Sequence, residues 1–362
     1  MNSIKTELTT QSIEADVTQR WNRILELEDK PHSDDFFELG GTSLKALQLL
    51  TEIEENLGLE VPLMSFAQRP TLSGLLDWLR MPAEARSTSI VPMQPNGSKV
   101  PFFFVHAEFG HVLFAQQLAV ALGPDQSMYG LQSRGLDGRE EPLTTIHEMA
   151  AHYVREMKSI QAQGPYRLGG FCMGALLALE MTNQLQDAGE GVSHLAIFST
   201  DASWMNIDGI RDQLEFHRRE MGKGGPSGAL RYLLARTRFR LHRLYSSGVM
   251  LLHRLYASRD KALPAKLRYV YIAELNYRAG WDFHPRPYHG TISYFQGEDD
   301  QRRDPRPFWG NLADGGIEIH SVTGELSSIF GPPHVDRLAS AFGASLERPA
   351  AARAPPHGNG AG

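Results

Sequence analysis

Apolar residues recur at helical spacing through the first 80 residues of the chain. In residues 12–28, Ile13, Val17 and Trp21 lie on one face of a helix, as expected where one side packs on a core. Two further stretches show the same spacing, 43–58 and 71–79. The pattern therefore predicts a small helical domain at 11–82.

From about residue 99 the pattern changes to short apolar runs that alternate with longer amphipathic ones. The strand-like runs are 102–106, 127–131, 166–169, 195–200, 291–296 and 317–320. Such alternation predicts a mainly parallel sheet with helices on both faces, within a domain at 99–347. A segment at about 205–285, mostly helical in pattern and rich in arginine, interrupts the alternation.

Two stretches are predicted to lie outside both domains. Residues 83–98 contain Pro92, Pro95 and Gly97 with several serines, a composition typical of an extended linker. Residues 348–362 are rich in Ala, Pro and Gly and are predicted to form a disordered tail.

The composition of the chain limits the cellular compartments and binding partners that we expect for the protein. The 362 residues are 41% hydrophobic and 22% charged with a formal net charge of -6, which disfavours a nucleic-acid partner. No run approaches about 18 apolar residues and the N-terminus lacks the apolar core of a secretion signal, so neither a membrane partner nor export is expected. The single cysteine, Cys172, excludes an internal disulfide and fits a cytoplasmic protein. No metal site is predicted.

A serine motif lies at the predicted start of the second helix. Residues 34–44 read Asp-Asp-Phe-Phe-Glu-Leu-Gly-Gly-Thr-Ser-Leu, which resembles the attachment motif of acyl and peptidyl carrier domains. The resemblance covers about residues 12–80 and implies a four-helix carrier domain in which Ser43 holds covalent 4'-phosphopantetheine. Paired glycines permit a sharp turn and a helix N-terminus favours a phosphate, so the residue types suit this role. The alternative, that Ser43 only caps the helix, is disfavoured by the completeness of the motif.

Cys172 lies within Gly-Phe-Cys-Met-Gly at 170–174, a nucleophile-elbow pattern with sulfur in place of the usual serine oxygen. A strand-like run precedes it and a helix-like run follows, which is the context that the elbow requires. Other stretches resemble the thioesterase domains that end nonribosomal peptide and polyketide assembly lines: 103–106, 129–136, 164–170, 286–290 and 333–335. The resemblance implies an α/β-hydrolase fold with the segment at 205–285 as a helical lid.

The same resemblance assigns the catalytic positions. It places the nucleophile at Cys172 and the acid at Asp201, but the position of the general-base histidine holds Leu326. His334 is the best candidate for a replacement base. Two other histidines, His106 and His320, lie at the ends of predicted elements and are expected to be structural.

The oxyanion donors are expected to be backbone N–H groups, one from Met173 and one from Ala107 or Glu108 in the loop after the first predicted strand. This loop is bulkier and more acidic than the family usually has. Glu108 is interpreted as an exposed loop carboxylate, with selection of a cationic amino group on the acyl chain as the alternative.

A cysteine thiol can act as a nucleophile without a histidine base, whereas a serine hydroxyl without that base is expected to be nearly inert. A free thiol has a pKa of about 8.5 and a helix N-terminus is expected to lower it, so the thiolate can attack a carrier thioester. Water would need a base, whose help is worth about 10² to 10⁴ in rate, whereas a second carrier thiol ionises more readily. We therefore interpret Cys172 as accepting an acyl or aminoacyl group and passing it to another thiol. Two alternatives stay open: chain release by hydrolysis or cyclisation with a relocated base, and a non-catalytic docking module in which the cysteine is a buried apolar residue.

The predicted partners are a phosphopantetheinyl transferase, other carrier domains or synthetase modules, and an acyl or peptidyl thioester. Charge predicts an attraction between an acidic carrier surface and an arginine-rich lid. The acidic residues are Asp34, Asp35, Glu38, Glu52, Glu54 and Glu55, and the lid arginines are Arg231, Arg236, Arg238, Arg240, Arg243 and Arg254. Both sets fit ordinary solvated helix faces equally well.

Overall fold

The computed structural model divides the chain after residue 88 into two compact units, 1–88 and 89–362. The residues that it describes are 10–27, 34–57, 61, 66, 70–80, 89–136, 138, 140–200, 237, 244–259, 261, 263–298, 304–324 and 326–348. The predicted tail and most of the first half of the predicted lid lie outside these residues.

The first unit is helical where the apolar spacing predicts helices. Its described helices are α1 (Thr10–Leu25), α2 (Ser43–Leu57) and α3 (Leu72–Arg80). The predicted count of four helices stays a prediction, because most of 58–69 lies outside the described residues. The core of the unit centres on three buried aromatic side chains, Trp21, Phe36 and Phe66, whose ring centroids are 5.1 to 6.1 Å apart in edge-to-face pairs.

The second unit is built on a seven-stranded sheet. The strands are β1 (Ile90–Gln94), β2 (Lys99–Val105), β3 (Gln126–Leu131), β4 (Tyr166–Phe171), β5 (Val192–Phe198), β6 (Ile292–Gln296) and β7 (Ile317–Ser321). Their order is β1-β3-β2-β4-β5-β6-β7, and every neighbouring pair is parallel except β1 and β3. The predicted mainly parallel sheet is confirmed.

Helices cover both faces of this sheet. The described helices are α4 (Gln116–Ala121), α5 (Ile146–Ile160), α6 (Met173–Asp187), α7 (244–257), α8 (Ala265–Trp281), α9 (Arg306–Trp309) and α10 (Val335–Glu347). Side chains of β2 alternate between the faces, as the strand period requires. Phe103 and Val105 join the core with α5 and α6, whereas Phe102 packs on Phe342 of α10 with centroids 4.8 Å apart.

One strand contradicts the predicted linker at 83–98. Residues 90–94 form β1, an edge strand antiparallel to β3, with Val91 and Met93 buried. Pro92 is tolerated because an edge strand has one side without ladder hydrogen bonds, and the pairing register shifts between Pro92 and Gln94. The prolines that predicted a linker therefore belong to an edge strand of the sheet. The second unit begins at Ser89.

The described parts of the predicted lid, α7 and α8, are helical. Among the described residues, no helix is long and apolar enough to cross a membrane.

Candidate carrier and active sites

The turn before α2 presents the first residue of that helix, Ser43. Gly40 has a φ of +88°, a conformation that glycine adopts more easily than other residues. A Cβ on Gly41 would lie 2.2 Å from Cδ1 of Phe36, so no side chain fits at that position. Phe36 in turn donates its N–H to the carbonyl of Pro70 at 2.6 Å. The aromatic core thus holds the turn, and the helix start offers N–H groups suited to a phosphate.

The acidic surface near this turn is partly neutralised within the first unit. Glu52 forms ion pairs with Arg20 and Arg23, and the Asp35 carboxylate accepts N–H groups of Phe37 at 2.8 Å and Glu38 at 3.2 Å. The attraction between the acidic carrier surface and the lid stays a prediction. The predicted lid arginines lie outside the described residues, apart from Arg254.

Cys172 occupies a sharp turn between β4 and α6. Its φ is 55° and its ψ is -124°, a region that non-glycine residues rarely adopt and that strained functional turns use. The Cys172 N–H donates to Thr200 Oγ1 at 2.9 Å, which ties the turn to the end of β5. Carbonyl oxygen of Thr200 itself accepts from Tyr294 and from Trp309, both at 3.1 Å. The strand, turn and helix that the sequence motif predicts are all present.

The two motif glycines are required by close packing. A Cβ on Gly170 would lie 2.3 Å from the Gly174 carbonyl oxygen, and a Cβ on Gly174 would lie 2.5 Å from the His106 carbonyl oxygen. The start of α6 therefore rests directly on the end of β2. This packing brings the loop that follows β2 to the nucleophile.

That loop, 106–110, is fixed from two sides. The side-chain amide of Asn276 in α8 donates to the Glu108 carbonyl oxygen at 2.9 Å and to Ser133 Oγ at 3.1 Å. The Ser133 N–H donates to the Gly110 carbonyl oxygen at 2.7 Å. Gly110, with a φ of +80°, leaves no room for a side chain beside Ser133. Sequence reasoning missed Asn276, whose contribution depends on contacts between segments distant in the chain.

The Glu108 side chain is partly buried, which corrects the interpretation of an exposed loop carboxylate. Glu108 is half-buried, and its Oε2 is buried without a hydrogen-bond partner among the described residues. Burial raises the pKa of the Cys172 thiol and so do the charge and contact of Glu108, while the Met173 N–H acts in the opposite direction. The N–H at the helix N-terminus lowers the pKa of this thiol as expected, but burial and Glu108 outweigh it, so the net shift is upward.

His106 is structural, as expected. Its ring is fully buried, Nδ1 donates to the Ala107 carbonyl oxygen at 2.6 Å, and Nε2 accepts from the Tyr153 hydroxyl at 2.7 Å. Burial lowers the pKa of His106 to about 4. The ring is neutral at physiological pH and serves as a fixed end for the loop that carries Ala107 and Glu108.

The role of His334 as a replacement base stays a prediction, and the structure describes its local contacts. His334 precedes α10, its Nδ1 lies 3.2 Å from Thr323 Oγ1, and its ring packs over Gly324, where a Cβ would lie 2.8 Å from Cγ. His320 stacks on Phe295 with centroids 4.8 Å apart. The predicted acid Asp201 and the side chain of Leu326 lie outside the described residues.

Another histidine, which sequence reasoning did not single out, follows the loop. His111 is partly buried, its ring lies 6.4 Å from that of Phe109, and its Nδ1 is buried without a hydrogen-bond partner among the described residues. Burial lowers the pKa of His111, and the Glu108 charge opposes this shift. Only its position after the oxyanion loop could have drawn attention to it.

Comparison with known protein families shows which domains the chain contains. Residues 15–79 match the phosphopantetheine attachment site family, and residues 101–215 match the thioesterase domain family. The chain therefore has a carrier domain, which holds covalent 4'-phosphopantetheine, followed by a thioesterase domain. More particularly, these two domains are of the kind found in nonribosomal peptide synthetases.

The similar proteins are much longer than this chain. Malpibaldin synthetase of Mortierella alpina is 28% identical over 328 residues, covering 87% of this chain and 5% of that protein. A dimodular nonribosomal peptide synthase of Bacillus subtilis (strain 168) is 38% identical over 165 residues, covering 45% and 7%. Indigoidine synthase of Dickeya dadantii (strain 3937) is 34% identical over 187 residues, covering 52% and 13%.

Solved structures support the fold. A four-domain nonribosomal peptide synthetase gives a TM-score of 0.56 at 24% identity, covering 96% of this chain and 27% of that one. The NocB thioesterase domain gives a TM-score of 0.51 at 21% identity, covering 72% of this chain and 100% of that one. At these identities the likeness concerns the fold alone.

Proposed function

We propose that Ser43 carries the phosphopantetheine arm, and that Cys172 accepts an acyl or aminoacyl group from a carrier thioester and passes it to another thiol. The observation that carries this proposal is the strained elbow, with a φ of 55° at Cys172 and Gly174 packed against the end of β2. Such strain persists where the surrounding structure enforces it, and it is concentrated at functional sites.

The choice of acceptor follows from the substitution of the base. Exchange of one thioester for another is nearly isoenergetic, and a thiol acceptor ionises far more readily than water. A histidine base is therefore less important for transfer between thiols than for hydrolysis. Leu326 at the family's base position removes the group that hydrolysis or cyclisation would require.

Single-turnover acylation tests the role of Cys172. A carrier loaded with an acyl group by thioester linkage is mixed with the full chain, and intact-protein mass spectrometry follows the acyl mass. We expect a thioester on the wild-type protein that is absent from Cys172→Ala and that disappears on addition of a second carrier with a free arm. Failure to form any thioester that depends on Cys172 would contradict the transfer function.

The attachment role of Ser43 is tested separately. Treatment with a phosphopantetheinyl transferase and coenzyme A is expected to add one pantetheine arm to the wild-type chain. Ser43→Ala is expected to abolish this addition, whereas Ser73→Ala, which alters an exposed serine in α3, is the matched control and retains it. An arm that remains on Ser43→Ala would place the attachment elsewhere.

A second candidate function is chain release, with His111 as the relocated base. The buried, unpartnered Nδ1 in the described structure and the nearby charge of Glu108 favour it. Release of free acid or a cyclic product that is lost in His111→Gln and kept in His334→Gln would support this function. Stable acylation of Cys172 without release would exclude it.

A further inference from the structure

The thiol that the proposed function uses must lose a proton as it attacks. Burial and the neighbouring carboxylate both raise the pKa of Cys172, so the sulfur is a protonated thiol at neutral pH. A protonated thiol is a poor nucleophile, and the thiolate is the reactive form. Some group near the sulfur therefore has to accept the proton during attack.

Three observations place Glu108 there. A Cβ on Gly174, at the start of α6, would lie 2.6 Å from the carbonyl oxygen of Val105 and 2.5 Å from that of His106. The start of α6 therefore packs directly on these two oxygens. Asn276 holds the Glu108 backbone through its carbonyl oxygen at 2.9 Å. The Glu108 carboxylate has a buried Oε2 with no hydrogen-bond partner among the described residues, and it acts on the pKa of the Cys172 thiol through its charge and a side-chain contact.

We propose that Glu108 is the proton acceptor and donor for Cys172, taking the thiol proton during attack and returning it to the leaving pantetheine sulfur. This inference rests on the proposed acyl transfer. It gives Glu108 the part of the catalytic cycle that the family's histidine performs, from the loop after β2 rather than the turn after β7.

The step is balanced in atoms and charge. The Cys172 sulfur forms a bond to the carbonyl carbon of the thioester while its proton moves to the Glu108 carboxylate and the carbonyl electrons move to oxygen. The carbonyl then re-forms, the bond from carbon to the pantetheine sulfur breaks with its electron pair on that sulfur, and Glu108 protonates it. The products are acyl-Cys172 and a free pantetheine thiol, and delivery to another carrier is the same sequence in reverse.

This arrangement favours thiols over water as acceptors. A carboxylate is a much weaker base than imidazole, so it gives little help to water. In exchange between two thiols the proton starts and ends on sulfur, and the base holds it only transiently. Glu108 therefore suits a carrier-to-carrier transferase better than a hydrolase.

Two measurements on Glu108→Gln separate a base from other roles. The first is acylation of Cys172 in the full chain by acetyl and glycyl thioesters of N-acetylcysteamine, and the second is alkylation by iodoacetamide. If Glu108 is the base, the variant acylates about 10²-fold more slowly. Its alkylation at pH 8 accelerates about tenfold, the factor that one unit of thiol pKa is worth, because removal of the negative charge favours the thiolate.

Control variants distinguish failure of the Glu108 assignment from failure of the proposed function. Glu347→Gln makes the same charge change on an exposed side chain of α10 and is expected to alter neither rate. Glu108→Asp keeps the charge and is expected to show intermediate acylation without faster alkylation. If Glu108→Gln accelerates both reactions, or changes neither, the assignment of Glu108 is overturned while the proposed function survives. If the wild-type chain alkylates at Cys172 but is never acylated, the proposed function itself fails.

Discussion

Two turns at the carboxyl edge of the sheet differ: the turn after β4, which contains Cys172, and the turn after β7. The turn after β4 has the strained backbone of a nucleophile elbow, with a φ of 55° at Cys172 and Gly174 packed against the end of β2. In the turn after β7, His334 packs over Gly324 and contacts Thr323, while Leu326 stands at the position that the sequence comparison predicts for the base. Under the proposed function, the strained turn at Cys172 is kept although the predicted base position holds Leu326.

The largest effect is expected at the first turn. Cys172→Ala should abolish acylation, and Cys172→Ser should lower it by about 10² to 10⁴, because a hydroxyl without a strong base is nearly inert. His334→Ala should leave acylation within about twofold, since that ring interacts with the β7 turn. Single-turnover mass spectrometry measures all three. An active Cys172→Ser would break the comparison by showing that a strong base is present.

Restoring a histidine to the second turn should change the product. We expect Leu326→His to raise hydrolysis of acyl-Cys172 by about tenfold or more, because imidazole activates water. Ser327→His, which adds the same group at the next, exposed position, is the control and should have little effect. Release of free acid is measured by chromatography. Equal release from both variants would mean that the turn cannot orient a base.

The packing at the first turn should appear in stability. Gly174→Ala is expected to lower the free energy of unfolding by about 3 kcal/mol, because its Cβ would meet two backbone oxygens within 2.6 Å. Gly343→Ala in α10, whose nearest neighbour would be 3.8 Å away, should instead stabilise by about 0.5 to 1 kcal/mol. Urea denaturation gives both values. Similar losses in the two variants would contradict the close-packing argument.

The smallest effect concerns the buried end of the oxyanion loop. The pKa of His106 falls from 6.5 to about 4 in the folded chain. Above 6.5 both states are neutral, but below it the unfolded state binds a proton that the folded state excludes. Stability should therefore fall by about 1.4 kcal/mol per pH unit between these values. Urea titrations at pH 7.5, 6 and 5 test this, and His106→Gln should flatten the slope whatever its overall stability.

Much of the fold could be predicted because the relevant signals are local. The apolar runs at 102–106 and 166–169 predict β2 and β4, and the glycines around Cys172 predict the elbow. β1 was missed because Pro92 and its flanking prolines are typical of a linker, and only pairing with β3 shows that the segment is an edge strand.

The active site was predictable only in part. Cys172 follows from a motif, but the position of Glu108 depends on α6 packing against β2 and on Asn276 holding the loop. Neither contact has a local signal. The net upward shift of the thiol pKa was missed for the same reason, since the helix N-terminus is visible in sequence whereas burial and a nearby carboxylate are not.

The edge strand β1 also decides how the thioesterase domain can be prepared alone. A protein trimmed to begin at residue 99 would lose β1 and leave the backbone groups of β3 unpaired along a largely buried strand. Open strands of this kind pair with one another between molecules. We expect such a protein to aggregate during expression, whereas one that begins at Ser89 retains a proline-bearing, irregular border that neighbouring copies cannot extend.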